Sequence, residues 1–506
     1  MMSFKFQVVG SKLKITSIMR LTFCIFAFLL FCFSFAVAQI DLPLRIELES
    51  ARDQQAYKYV SLENQGVAVF YKSAELNADT AQWVFIHYDT NLVKTNQYKL
   101  RLHNSFQYFA EEFSNNKLYL FFQKPARNKK DTLKNYLLEW NLKTLDFQLF
   151  DLQKYREPTF SSVHVKDDYL FFIVDEKKSK SICYYNVKTD VKQTFQIVDE
   201  EVTSIESFCL DTLSKTTNFC MFIKNKQGTR SELFVTDYSG NLKERVVFPY
   251  YEDFIYNSAK IACVGRDSLL LIGGYSNNKE KKSKGSFSGI YTIPFSKNKF
   301  YNKNSYPFGS LLANDTTLNM KHLTEANLLT NLHITQNNGK VFAISEFCYP
   351  EYQYSVSSYR SYGYSGYDPP TQAFTGFRFL NAFISEFDKE GSLLHEWYFP
   401  IQNVLTKSFN NLVGVYQDKE ENSLFFYVNF NEIVSQFVNK NRLLSPQTAI
   451  PVELTNKADV LEYSVNVYMQ HWYDKNFLVS GYQFIKNAHR GKGKRYVFFL
   501  NKLICE

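Results

Sequence analysis

Short apolar runs of strand length recur along the whole chain, with polar residues between them. They include VAVFY (Val67 to Tyr71), WVFIHY (Trp83 to Tyr88), KLYLFFQ (Lys117 to Gln123), YLFFIV (Tyr169 to Val174), FCMFI (Phe219 to Ile223), LLLIGGY (Leu269 to Tyr275), KVFAIS (Lys340 to Ser345), LFFYVNF (Leu424 to Phe430) and YVFFLNKL (Tyr496 to Leu503). Each is about one β-strand long. Helix-period patterns are nearly absent, and β-branched and aromatic residues dominate, with 48 Phe and 35 Tyr. This pattern predicts an all-β chain.

A second signal lies between the runs. A strand enters a turn containing Asp or Asn with Gly or Thr, and another strand follows at once: YDTNLV, WNLKTLDF, YNVKTDVKQ, TDYSGNLKE and FDKEGSLLHEW. Such turns are hairpin chemistry. Taking Asp89, Asn141, Asn186 and Asp237 as markers, the steps are 52, 45 and 51 residues. A four-stranded antiparallel unit of that size is one propeller blade. The pattern continues through PFSKNKF (Pro294 to Phe300), Asp388 and two strand groups at Val413 to Val438 and Val465 to Leu503, so seven or eight blades are expected. The alternative is a pair of tandem β-sandwich domains, against which the lack of a Pro/Gly/Ser linker argues. LPLRIELES (Leu42 to Ser50) alternates cleanly and is expected to pair with the last strands and close the ring.

Residues 1–38 carry Lys5, Lys12, Lys14 and Arg20, then an uncharged run from Leu21 to Phe35, then Ala36-Val37-Ala38. That is the layout of a signal peptide, and the apolar run falls short of the roughly 20 residues that span a bilayer. A single domain over 39–506 is therefore expected to be exported, to the periplasm, the outer membrane or beyond, with no transmembrane span after cleavage. Met19 followed by Arg20 offers an alternative start, and Phe31 before Cys32 does not suit lipoprotein processing.

Cleavage at Ala38 lowers the formal charge from +8 to +4. So balanced a chain does not suit nucleic acid. Its densest basic runs, KEKKSK (Lys279 to Lys284) and HRGKGKR (His489 to Arg495), lie between strand runs and read as hairpin tips. The six cysteines beyond the signal show no metal-knuckle spacing. Cys209 and Cys220 flank a hairpin-like connection, where a disulfide is one option and buried free thiols the other.

No metalloprotease, nucleophile-elbow, Walker, dinucleotide or EF-hand pattern occurs. The turns at Asp237 to Gly240 and Asp388 to Gly391 lack the carboxylate series of a calcium loop. The eight histidines do not pair at metal-ligand spacing. No catalytic residue, cofactor or metal is assigned. Propeller enzymes gather carboxylates at a central channel, and Glu139, Glu232 and Glu386 are the sort of residue that would serve.

One stretch breaks the alternating pattern. YPEYQYSVSSYRSYGYSGY holds Tyr349, Tyr352, Tyr354, Tyr359, Tyr362, Tyr364 and Tyr367 within an insertion at about 349–376. Aromatic rings on a Gly/Ser-rich backbone are the composition of adaptable binding loops. The rings have three possible fates: folding back onto the propeller's own face, contact with a protein, or stacking on a glycan.

Two further segments, GFRFLNAFISEFDKEGSLLHEW (Gly376 to Trp397) and WYDKNFLVSGYQFIKNAHRGKGKRYVFFLNK (Trp472 to Lys502), resemble a family of exported Bacteroidota proteins of similar length and no known activity. The resemblance is clearest over the last third. Where those relatives have a lysine-glycine-lysine-leucine-leucine-tryptophan run, Leu394 is here followed by His395 and Glu396. The resemblance implies an envelope or secreted location and transfers no catalytic residue. Two function classes follow: a noncatalytic interaction subunit with an envelope or outer-membrane protein partner, expected to show an exposed aromatic patch on one rim, or a glycan-binding or glycan-cleaving propeller with an acidic central pocket.

Overall fold

A computed structural model describes residues 40–505 except 51–56, 78, 125–132, 156–158, 177–178, 198–200, 226–227, 253, 278–286, 309–327, 356–370, 441 and 488–492. The strands form eight antiparallel sheets, each with four strand positions; in two sheets the outer positions are split into shorter strands. In chain order, blades 1 to 7 occupy residues 58–103, 107–155, 159–195, 201–247, 254–307, 329–406 and 414–451. Blade 8 takes its first three strands from Val460–Tyr473, Asn476–Lys486 and Lys494–Cys505, and its fourth from Ile40–Ser50. The chain is an eight-bladed β-propeller, and the tandem-sandwich alternative falls.

The apolar runs are the second and third strands of the blades, and they read as continuous because both of their faces are buried. In the second strand of blade 2, Leu118, Leu120 and Phe122 pack toward blade 1, while Tyr119 and Phe121 pack toward blade 3. Leu269 and Leu271 face blade 4, while Leu270 and Ile272 face blade 6. The buried residues accordingly form eight clusters, one in each gap between neighbouring blades. A ring of face-to-face sheets enlarges by adding gaps, with no single core spanning the molecule.

The evenly spaced markers are third-to-fourth-strand turns. Asp89 Oδ1 accepts the Asn91 and Val93 amides at 2.8 Å each, and Asn141, Asn186, Asp237 and Asp388 cap their own turns in the same way. The side chain replaces missing turn hydrogen bonds, which is why these residue types mark the repeat. Antiparallel order puts these turns and the first-to-second turns at one end of the ring, the turn end. The second-to-third hairpins and the crossings between blades lie at the other, the crossover end.

Closure follows the alternation of LPLRIELES: Leu44 to Ser50 pair with Lys502 to Tyr496. Arg45 secures the joint. Its guanidinium donates to Glu47 at 2.8 Å, to the Glu453 carbonyl at 3.0 Å and to Gln483 at 2.6 Å, and lies over the Phe499 ring. Arg495 on the facing strand binds both Glu47 and Asp459.

First strands touch between most neighbouring blades. His164 of blade 3 stacks on Phe208 of blade 4, His333 of blade 6 bonds the Val413 carbonyl, in the crossing just before blade 7, at 3.1 Å, and Tyr416 of blade 7 stacks on His471 of blade 8. Blades 4 and 5 are joined covalently, by a disulfide from Cys209 to Cys263. Cys209 thus does not bond Cys220. Cys209 lies opposite Asn218 and Cys220 opposite Ser207, so the two are diagonal neighbours, roughly 7 Å apart in such a hairpin and too far for a disulfide. Cys220 is instead a buried free thiol in the gap between blades 4 and 5, where desolvation pushes its pKa well up.

Candidate binding surface on blade 6

Blade 6 departs from the others in strand length. Its second, third and fourth strands, Lys340–Ser355, Thr371–Phe387 and Leu393–Thr406, have 16, 17 and 14 residues, whereas the second and third strands of blade 2 have 8 and 9. The first strand of blade 6 stops at Leu329, opposite Cys348, and the fourth stops at Thr406, opposite Phe377. Beyond those points the pairing of Glu351 to Ser355 with Gly376 to Thr371 continues as a two-stranded arm at the crossover end. The ends of the expected insertion are therefore regular strand.

Local chemistry sets the arm's course. A bulge falls between Glu351 and Tyr352. Opposite it stands Gly376, with φ +155°, where a Cβ atom would lie 2.4 Å from the Thr406 carbonyl oxygen. Only glycine permits that approach. Arg378 clamps the base, donating to both Glu351 oxygens, one at 2.9 Å. The pairing holds the Glu351 carboxyl below its ordinary pKa. Pro350 has no N–H to offer, so proline, bulge and ion pair together discourage a foreign strand from pairing with the arm's edge.

What the arm presents is rings. Tyr352 meets Phe374 edge-on at 5.6 Å, Phe374 meets Phe377 at 5.2 Å, and Phe377 meets Phe409, in the crossing to blade 7, at 5.1 Å. Tyr352 is 45% exposed, Phe374 47% and Phe409 41%. Of the tyrosines named from the sequence, Tyr349 is half-buried at the arm's base, Tyr352 belongs to this stripe, and Tyr354 pairs with Gln372 in the backbone ladder. Tyr359, Tyr362, Tyr364 and Tyr367 lie outside the described residues, as do Lys279 to Lys284 and most of the His489 to Arg495 run. Phe374, Phe377 and Phe409 had no signal in the sequence beyond being aromatic.

The crossing beneath the stripe is firmly held. Glu346 accepts the Leu412 and Val413 amides at 2.7 and 2.5 Å, and Asn331 donates to its other oxygen at 2.9 Å. Burial raises the Glu346 pKa to about 7 against the pull of these donors. Residues 404–408 and 410–412, with parts of blades 7 and 8, line a cavity of about 540 Å³.

The carboxylates named from the sequence are not brought together. Glu139 meets Lys117 at 2.7 Å, Glu232 meets Arg230 and Arg245 at 2.6 and 2.7 Å, and Glu386 meets Lys340 at 2.7 Å, each in a different blade. The described first strands of blades 1 to 5 carry charges of both signs, among them Lys58, Glu111, Glu112, Lys166, Glu206 and Lys260. Burial raises the Glu111 pKa, with Lys58 opposing. Burial and then the Glu111 charge raise Glu112 to about 7, with Lys166 opposing. No group of three or more His, Cys, Asp or Glu among the described residues is placed to hold a metal, and no described helix is long and apolar enough to cross a membrane.

No family model and no curated protein matches the chain. Among solved structures it is similar to the β-propeller domain of the Trilobed protease from Pyrococcus furiosus, at 10% identity and TM-score 0.36 over 76% of this chain and 97% of that one. The Dos1 propeller is similar at 10% identity and TM-score 0.37, over 77% and 89% of the two chains. A prolyl endopeptidase is similar at 10% identity and TM-score 0.38, over 84% of this chain and 53% of that one. At such identity the likeness is one of architecture and says nothing of activity.

Proposed function

We propose that the protein is a noncatalytic, exported β-propeller that serves as an interaction subunit of the cell envelope, docking a protein partner on the blade 6 arm. The observation that carries this reading is a run of ring contacts from Tyr352 through Phe374 and Phe377 to Phe409, in which Tyr352, Phe374 and Phe409 are exposed and Phe377 is half-buried against the packing between blades 6 and 7. Aromatic rings supply large contact area at low entropy cost and dominate interface cores. Three exposed rings anchored to the blade through a half-buried fourth suit a partner's surface. Export is supported by the signal-like residues 1–38, which lie outside the described residues, and by the Cys209–Cys263 bond, which suits an oxidising compartment. The Bacteroidota resemblance points the same way.

The test is position-specific photo-crosslinking in native envelopes, with the probe at Phe374 or, as a control, at Leu145 in a blade 2 turn at the opposite end. The expected result is a discrete protein adduct from Phe374 and none from Leu145. Adducts from neither position, with both proteins folded, would remove the docking reading.

A further inference from the structure

The gap between blades 1 and 2 gathers positive charge at its crossover end. Lys124, at the end of the second strand of blade 2 (Lys117–Lys124), pairs with Lys134 in the third (Leu133–Asn141). Directly paired residues share a face, and this one continues the row of Leu120, Phe122 and Tyr136 that packs toward blade 1. From the other side of the gap, Lys72 pairs with Trp83 of the same packing, and its Nζ donates to the Asn104 carbonyl at 3.2 Å. His103, the neighbour of Asn104, stacks on Phe106 and holds its Nε2 2.9 Å from Lys124 Nζ.

Two features leave this cluster short of an acceptor. Like charges directly opposite in a sheet repel, yet Lys124 and Lys134 are both half-buried, and the Lys134 side chain makes no hydrogen bond or ion pair with a described residue. The other feature is the state of His103. The Ser105 amide donates to its Nδ1 at 3.2 Å, which puts the ring proton on Nε2 and leaves two donors, Nε2–H and the Lys124 ammonium, facing each other. Asp79 stands back from them, with its Oδ1 3.9 Å from Nε2 and its side chain 68% exposed. An acceptor shared by both donors resolves the conflict. Solvent reaches the place it would occupy, since the His103 side chain keeps 23% of its surface.

We propose that the cluster binds a phosphoryl group, as free phosphate or as a monoester on a larger molecule. Lysines act as point charges that approach a tetrahedral oxyanion from several sides, whereas a planar carboxylate is matched best by the fork of an arginine. Three lysines and a ring N–H beside the Asp79 carboxylate also suit a ligand of more than one negative charge, which a monoester carries near neutral pH. A soluble phosphoester and a phosphorylated lipid headgroup share this chemistry. The site belongs to blades 1 and 2 and stands whether or not the blade 6 arm docks a protein.

The test measures inorganic phosphate binding to the full chain by calorimetry, at constant ionic strength set with chloride, beside flotation with phosphatidylcholine vesicles that contain or lack phosphatidic acid. Wild type is expected to bind phosphate, and the double variant Lys124→Gln with Lys134→Gln to bind it about tenfold more weakly or worse, as charge-assisted contacts are lost. Lys143→Gln, in the blade 2 turn at the opposite end, should bind as wild type does. Because the double variant removes a repulsive pair, it should melt no lower than wild type in chloride while losing the rise in melting temperature that phosphate gives. Lys134→Gln alone gives the same comparison in milder form. Flotation that requires phosphatidic acid and is lost in the double variant assigns the group to a lipid headgroup; phosphate binding without flotation assigns it to a soluble phosphoester. No phosphate binding by folded wild type, or equal binding by wild type and both lysine variants, would overturn the proposal. So would a double variant that melts well below wild type in chloride, since the lysines would then serve the fold.

Discussion

The gap between blades 1 and 2 and the arm of blade 6 are built from the same side chains and use them in opposite ways. In the gap, Trp140 stacks on Phe147 at 5.1 Å and meets Phe85 edge-on, and Trp140 and Phe85 have no exposed surface. On the arm, Tyr352 and Phe374 make one ring contact with each other and keep close to half their surface in solvent. The difference lies in the sheet neighbours. Trp140 sits in a third strand with partners on both sides and a blade on each face; Phe374 sits where the third strand has outrun both the first and the fourth. Aromatic composition alone therefore cannot separate core from exposed surface, whereas strand length relative to neighbouring strands can.

That contrast breaks hardest at Trp140. Trp140→Ala should cost about 3–5 kcal/mol of stability, as loss of a large core side chain does, with crosslinking from Phe374 unchanged when the variant is assayed below its melting point. Denaturant unfolding followed by fluorescence measures the cost. A loss below about 1 kcal/mol would mean that the gap is not packed as described.

The joint between blades 4 and 5 comes next. Replacing Cys209 and Cys263 by serine should cost about 2–4 kcal/mol and make the melting temperature indifferent to reductant. Cys220→Ser should leave the reductant response intact. If instead Cys220→Ser abolished it, the pairing would be wrong.

A smaller effect sharpens the difference between the arm and the packed part of its own blade. Glu396, in the fourth strand, has an oxygen without a hydrogen-bond partner, and burial raises its pKa to about 7. A carboxyl whose pKa is higher folded than unfolded binds its proton more tightly in the native state, so its contribution to stability falls as pH rises from the unfolded value through about 7. Melting temperature should be lower at pH 8 than at pH 5. Glu396→Gln should narrow that gap, chiefly by raising the pH 8 value. Glu112 and Glu346 act in the same direction, so part of the difference should persist.

Much of the architecture was legible in the sequence because its signals are local. Asp89, Asn141, Asn186 and Asp237 mark equivalent turns because each caps its own turn, and LPLRIELES advertises an edge strand by alternation. The partner of Cys209 was not legible, since it depends on which strands face each other across blades and on a diagonal offset that two bulges help to set. The tyrosines drew attention to the long hairpin of blade 6, but Phe374, Phe377 and Phe409 come into contact only through register with Tyr352 and through the crossing to blade 7. The cavity lined by the crossing after blade 6 draws on three blades, and no single stretch of the sequence marks it.

The most direct test of the account is the double variant Tyr352→Asp with Phe374→Asp, assayed for melting temperature and for retention of the protein that crosslinks at Phe374. The account predicts a melting temperature within about 2 °C of wild type, as for a change at exposed positions, and loss of that protein. A large fall in melting temperature with the protein retained would show that the stripe serves the fold and that the partner docks elsewhere.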